Sequence, residues 1–199
     1  GLYAIGDPHL SLKVNKPMDI FGDRWKDHFN KLTSGFSVLS DNDTLVIAGD
    51  ISWAMDISDA LPDFEYINNL PGRKIISKGN HDYWWQSGKK LNNFLVDNNF
   101  NSISFLYNNS YIYDDKISLC GTRGWCLEGE NATDNDRKII LREAGRLELS
   151  LSSAEAEEKI VFLHYPPIYR GFRCEEIIET MKKHSVKKCF YAHLHGHSC

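Results

Sequence analysis

Eight polar side chains in five short motifs carry the chemistry open to this sequence. They are Asp7 and His9, then Asp50, then Asn80 and His81, then His164, and finally His193 and His195. Five of the eight histidines in the chain belong to this set. Carboxylate, imidazole and amide oxygen are ligands for borderline divalent metals such as Mn, Fe or Zn. No cysteine is among them, which argues against a structural cysteine-rich zinc site. Asp7 and His9 are two apart, as are His193 and His195, so each pair can face one pocket from an extended turn. The donors are Asp7, His9, Asp50, Asn80, His164, His193 and His195. Seven are too many for one catalytic metal with an open position, and they suit two metals that share a carboxylate. Two divalent cations outweigh the charge of two aspartates, so an anionic substrate is favoured. A bimetal site lowers the pKa of bound water and clamps both oxygens of an in-line displacement at phosphorus.

The elements that must position these residues repeat one pattern. Leu2–Ile5 leads into Gly6-Asp7, Thr44–Ala48 into Gly49-Asp50, and Lys74–Ser77 into Gly79-Asn80-His81-Asp82. Ile160–Leu163 leads into His164-Tyr165-Pro166-Pro167, and Cys189–Ala192 into His193-Leu194-His195. Each run is short and rich in β-branched or aromatic residues, as buried strands are. In open α/β sheets, ligands bind outside the carboxyl ends of such strands. Helices are expected between them. Trp25, Phe29, Leu32 and Phe36 share one helical face. Residues 58–70 form a helix capped by Ser58 and stopped before Pro71-Gly72. Residues 87–97, 136–153 and 174–184 complete the set. Ile103–Tyr107, Ser110–Tyr113 and Lys116–Cys120 are closely spaced and predict an antiparallel meander.

The chain has 199 residues, which predicts one domain spanning 1–199. Apolar residues make up 42% and charged residues 25%, the balance of a globular protein able to build a core without staples. The net charge of −4 and the absence of a Lys/Arg cluster argue against duplex nucleic acid as a partner. No apolar run reaches the ~18 residues of a membrane span, and the first residues lack a signal-peptide pattern. Five cysteines without a C-x-x-C fit a reducing cytoplasm better than a disulfide framework. Asn131-Ala132-Thr133 is a glycosylation sequon by letter only.

The five motifs, in this order, resemble the calcineurin-like metallophosphoesterase superfamily. They are Asp7-Pro8-His9, Gly49-Asp50, Gly79-Asn80-His81-Asp82, His164 in His-Tyr-Pro-Pro, and His193-Leu194-His195. Gly49-Asp50-Ile51-Ser52-Trp53, with Gly121-Thr122-Arg123-Gly124-Trp125, is similar to a bacterial branch of predicted phosphohydrolases. The resemblance implies a four-layer α/β sandwich of two mixed β-sheets flanked by helices. It implies that Asp7, His9 and His195 bind one metal, Asn80, His164 and His193 a second, and that Asp50 bridges them. Mn, Fe, Zn and Ni all accept this donor set. His81 would stand outside both shells as the catalytic acid or transition-state donor. The implied activity is cleavage of phosphomonoesters or phosphodiesters by a metal-bridging hydroxide. The alternative is a non-catalytic scaffold or binding protein on the same fold. The implied partner is a small phosphoester, nucleotide-like esters included, with no membrane surface. Further C-terminal strands are also implied beyond the last motif.

The chain departs from the family in two informative places. The protein-phosphatase branch carries Asp and Arg three and four residues after the bridging Asp, where this sequence has Trp53 and Ala54. Protein phosphatase activity is therefore not expected, and Asp82 or Asp56 is the candidate partner for His81. Ala192 stands where the family has glycine. Tyr83-Trp84-Trp85 offers either core packing or a stacking platform for a base or sugar. Arg123 reads as a loop arginine in solvent rather than a phosphate clamp. His28 reads as structural.

Overall fold

In a computed structural model, residues 1–127 and 132–195 are described; Asn131, His197 and Cys199 lie outside them. The first half of the chain alternates strand and helix. Strands β1 (Leu2–Ile5), β2 (Thr44–Ala48), β3 (Arg73–Ser77) and β4 (Ile103–Phe105) form one sheet in sequence order. Every pairing in it is parallel. Helices α1 (His28–Phe36), α2 (Leu61–Asn68) and α3 (Gly88–Asp97) make the crossovers. All five residues of β2 are buried, as a continuous apolar run in a doubly covered sheet must be.

The second half builds a second four-stranded sheet. Its strands are β5 (Tyr111–Asp114), β6 (Ile117–Thr122), β7 (Glu158–Leu163) and, after a short hairpin of β8 (Ile168–Tyr169) and β9 (Phe172–Arg173), β10 (Lys188–Tyr191). Their spatial order is β10-β7-β6-β5, with only β5 antiparallel to its neighbour. Helix α4 (Asp134–Ser152) starts at a reciprocal cap: Thr133 accepts from the Asp136 N–H, and Asp136 accepts from the Thr133 N–H. Helix α5 (Glu175–Lys183) follows the hairpin.

Three apolar clusters hold these layers together. Phe36, Phe64, Ile67, Leu91 and Leu95 of the first three helices meet Leu45, Ile47, Ile76 and Phe105 of the first sheet. Val46 and Ile75 meet Leu119, Ile160 and Phe162 between the two sheets. Cys120, Val161 and Leu163 meet Ile140, Leu147, Leu151 and Ile177 of α4 and α5.

Four expectations need correction. The meander does not form, because Ile103–Phe105 joins the first sheet in parallel with β3 while 111–122 forms a hairpin in the second. Trp25 is outside α1, in a separate single turn at Asp23–Trp25, and Phe29 is exposed. Helix α2 is capped at Ala60, not Ser58, and ends at Asn68. The first sheet is purely parallel, so only the second is mixed.

Candidate metal centre

The carboxyl ends of β1, β2, β3, β7 and β10 converge, and each delivers one of the five motifs. The convergence depends on missing side chains. A Cβ on Gly79 would lie 2.1 Å from Asp50 Oδ1, so only glycine lets the two loops meet. A Cβ on Gly6 would lie 2.2 Å from that of Ala192. Gly6 thus makes the room that Ala192 occupies, and the Ala192 departure is accommodated.

The loops are also bent unusually. Asp7, His9, Asp50 and His193 all have positive φ, at 56°, 43°, 54° and 71°. Non-glycine residues seldom adopt this region, and it concentrates where a site over-determines its backbone. Asp82, fully buried, helps to hold the bend. Its carboxylate accepts the N–H groups of Gly79 at 2.7 Å, Asp50 at 2.9 Å, Ile51 at 2.8 Å and Ser52 at 3.4 Å. Asp82 is therefore committed to backbone and is not the partner of His81. Asp56 is exposed.

Both site aspartates are held by one oxygen and present the other. Asp7 Oδ2 accepts the His193 N–H at 2.9 Å, and Asp50 Oδ1 accepts the His81 N–H at 2.7 Å. The free oxygens face the donors. Asp7 Oδ1 lies 3.1 Å from His195 Nε2 and 4.0 Å from His9 Nε2. Asp50 Oδ2 lies 3.7 Å from His9 Nε2 and 3.5 Å from His164 Nε2. Ligand atoms of Asp7, His9, Asp50 and His195 all lie within 4.8 Å of one another, a group that could hold a metal ion. On the other side, Asn80 Oδ1 lies 2.6 Å from His164 Nε2 and 2.9 Å from His193 Nδ1. All seven sequence-predicted donors are brought together. His81 sits beside them, its ring 5.7 Å from that of His9.

The donor set fits divalent cations on three counts. Asp50 Oδ2 is buried without a hydrogen-bond partner, which is costly for a carboxylate, and Asp7 Oδ1 faces the His195 ring at 3.1 Å. Burial, with the nearby Asp82 charge, pushes the Asp50 pKa well above the ordinary carboxylate value, a burden that a neighbouring cation removes. Burial also pushes His9 down to about 3 and His164 down to about 4, so both imidazoles are neutral at neutral pH and can serve as ligands. His164 Nδ1 is 2.9 Å from the Ala48 carbonyl. Its N–H donates there, leaving a lone pair on Nε2 against the Asn80 oxygen.

Several side chains at the site were not picked out by type or spacing. Trp53 stacks on His9, with centroids 4.5 Å apart and planes 15° apart, and its ring is 4.7 Å from that of His81. Lys16 Nζ lies 3.3 Å from the Trp53 ring centroid. Phe21 and Trp25 join them around a cavity of about 320 Å³ that reaches His81, His193 and His195. The signal available was Trp53 itself, three residues after Asp50 within the motif. The Tyr83-Trp84-Trp85 platform is not present as a unit. Trp84 is fully buried against Phe64, and Trp85 packs edge-on to Phe105, while Tyr83 is exposed 6.1 Å from the His81 ring. His28 is tied to the backbone, its Nε2 lying 2.7 Å from the Pro8 carbonyl, as a structural histidine would be. Among the described residues no helix is long and apolar enough to cross a membrane.

Comparison with known proteins bears on the same residues. A family model described as calcineurin-like phosphoesterase matches residues 2–197. The fold is similar to that of TT1561 of Thermus thermophilus, at 13% identity and a TM-score of 0.60, over 98% of this chain and 81% of that one. A protein of unknown function, AQ665 from Aquifex aeolicus, is 23% identical over 96% of this chain and 88% of its own, with a TM-score of 0.47. No curated protein matches the chain.

Proposed function

The chain belongs to the calcineurin-like phosphoesterase family, and from that premise we propose that it is a dinuclear metal-dependent phosphohydrolase acting on small phosphomonoesters or phosphodiesters. One observation carries the dinuclear reading. Asp50 Oδ2 is buried, unpartnered, and midway between His9 and His164, at 3.7 and 3.5 Å. Asp7, His9 and His195 would hold one ion and Asn80, His164 and His193 the other, with Asp50 shared. When bound, such ions supply Lewis acidity at phosphorus and offset the charge that builds on its oxygens.

The chain's own residues do the rest. The His81 and His193 N–H groups orient the two aspartates before any ligand arrives. Preorganised donors of this kind cost no rearrangement during reaction. The His81 ring, beside the donors but not among them, hydrogen-bonds the leaving oxygen and delivers a proton to it from a ring nitrogen. Burial first, then the Lys16 ammonium, holds the His81 pKa below the ordinary imidazole value, so the protonated ring is a stronger acid but a smaller fraction at neutral pH. Trp53 and Ala54 in place of an Asp–Arg pair argue against protein phosphatase activity. The free thiols of Cys120, Cys174 and Cys189 support a cytoplasmic setting.

The test pairs elemental analysis with hydrolysis of an aryl monophosphate and a bis-aryl phosphate. Two ions per chain, and turnover abolished by a chelator and restored by metal, are expected. A chain that holds no metal, or turnover indifferent to the chelator, contradicts the proposal.

A further inference from the structure

A second charged cluster lies outside the metal centre. Lys78, Arg123 and Arg146 line a small cavity next to the carboxyl ends of β3 and β6. Among the described residues lining it, Glu143 is the one carboxylate. Glu143 is fully buried and already served. Thr122 donates its hydroxyl to Oε2 at 2.6 Å, Arg146 Nη1 donates to Oε1 at 2.7 Å, and Arg123 Nη2 stands 3.6 Å away. Arg123 is thus not the solvent-facing loop arginine that the sequence suggests.

Donors are left over once Glu143 is satisfied. Arg123 Nε, at the edge of this cavity, is buried without a partner. Lys78 makes no hydrogen bond or ion pair with a described residue. Three cations face one carboxylate, so the cavity carries excess positive charge. Its volume is about 20 Å³, room for one oxygen-sized atom.

We propose that this cavity is an anion subsite that receives one oxygen of a phosphate, sulfate or carboxylate group, with the rest of the group toward solvent. Charge-assisted hydrogen bonds from guanidinium and ammonium are the chemistry that selects it. The subsite is tied to the centre through the backbone. Lys78 precedes Asn80 by two residues, and the Arg123 carbonyl accepts the N–H groups of His164 and Tyr165. The Tyr165 ring spans the interval, 6.0 Å from the Arg123 guanidinium and 4.4 Å from the His193 ring. The anion comes either from the non-reacting end of a substrate held at the centre or from solution. The first source rests on the proposed function; the second does not.

Titration calorimetry of sodium sulfate into the metal-loaded chain tests the subsite without needing turnover. Wild type, Lys78→Met and Lys78→Arg are compared at low ionic strength. We expect a sulfate-binding event that Lys78→Met weakens by roughly 10-fold or more and Lys78→Arg restores. Thermal stability of Lys78→Met should be equal or higher, because no protein contact is lost. Identical titrations in wild type and Lys78→Met overturn the proposal, since a buried water then fills the cavity. A Lys78→Met chain that melts lower and binds sulfate normally makes Lys78 structural and overturns it equally. An aryl phosphate with and without a ring carboxylate separates the sources. A KM advantage for the carboxylated ester that Lys78→Met removes, at unchanged kcat, assigns the subsite to substrate. Equal KM values with sulfate binding still dependent on Lys78 assign it to a free anion. If no ester is hydrolysed while that dependence holds, the proposed function fails and the subsite stands.

Discussion

The two halves of the candidate centre are positioned by different forces. On the Asn80 side, His164 is fully buried and oriented by a hydrogen bond to the Ala48 carbonyl at 2.9 Å. This is the usual way a ligating imidazole is fixed, through its second nitrogen. On the Asp7 side, His9 Nδ1 is buried with no hydrogen-bond partner. Its ring is fixed by stacking on Trp53, which carries Lys16 near its ring at 3.3 Å. Asp7 and His9 sit on positive-φ backbone, as does His193 of the other half, and His195 is partly exposed. His164 is wired by a hydrogen bond, whereas His9 is clamped by a ring. A stack resists tilting of the imidazole plane but specifies rotation within that plane weakly. The Asp7 half should therefore be the more easily disturbed, although it has the larger share of carboxylate.

The sharpest perturbation falls between the halves. His81→Ala should keep both metals and lose ~10²–10⁴-fold in kcat, the usual worth of a positioned acid. The loss should shrink for esters with good leaving groups. Loss of a metal would place His81 in one half as a ligand, and equal slowing for good and poor leaving groups would overturn its assignment to the leaving group.

Next in size, Trp84→Ala should destabilise the fold by ~3–5 kcal/mol, as removal of a buried aromatic does. Its ring packs on Phe64 at 4.9 Å, away from both halves. Denaturant unfolding measures the cost. Altered substrate selectivity in a variant that remains folded would place the ring at the mouth instead.

The smallest effect is the most specific to the comparison. Trp53→Leu should weaken metal binding in the Asp7 half by roughly 10–100-fold, the range for groups that orient ligands. The Asn80 half should be unaffected, and Trp53→Phe should restore most of the loss by restoring a stack. Competition with a chelator of known affinity reads both halves separately. Equal weakening in the two halves would remove the distinction between them.

Most of the donor set was legible because few residue types ligate divalent metals and each such residue ended an apolar run. Asp7, Asp50, Asn80 and the four histidines proposed as ligands stood out for that reason. Sheet membership was less legible. Ile103–Phe105 and Tyr111–Asp114 look alike locally, and only packing against β3 or β6 separates them. Tyr83-Trp84-Trp85 left core packing and a platform both open, because neighbours in a turn can point apart, one ring into the core and one partly outward. Trp53 was visible as a departure but not as a stack, since ring-on-ring geometry has no spacing rule. Arg123 read as a loop residue because Glu143, its partner, is far off in sequence on α4.

The central claim is that Asp50 serves both halves at once. Metal content per chain, measured by elemental analysis after exhaustive dialysis, tests it in wild type and in Asp50→Asn. The account predicts two ions in wild type and a loss from both halves in the variant, because Asp50 Oδ2 is the carboxylate oxygen close to both His9 and His164. An Asp50→Asn chain that folds and still retains two ions through the same dialysis would contradict it.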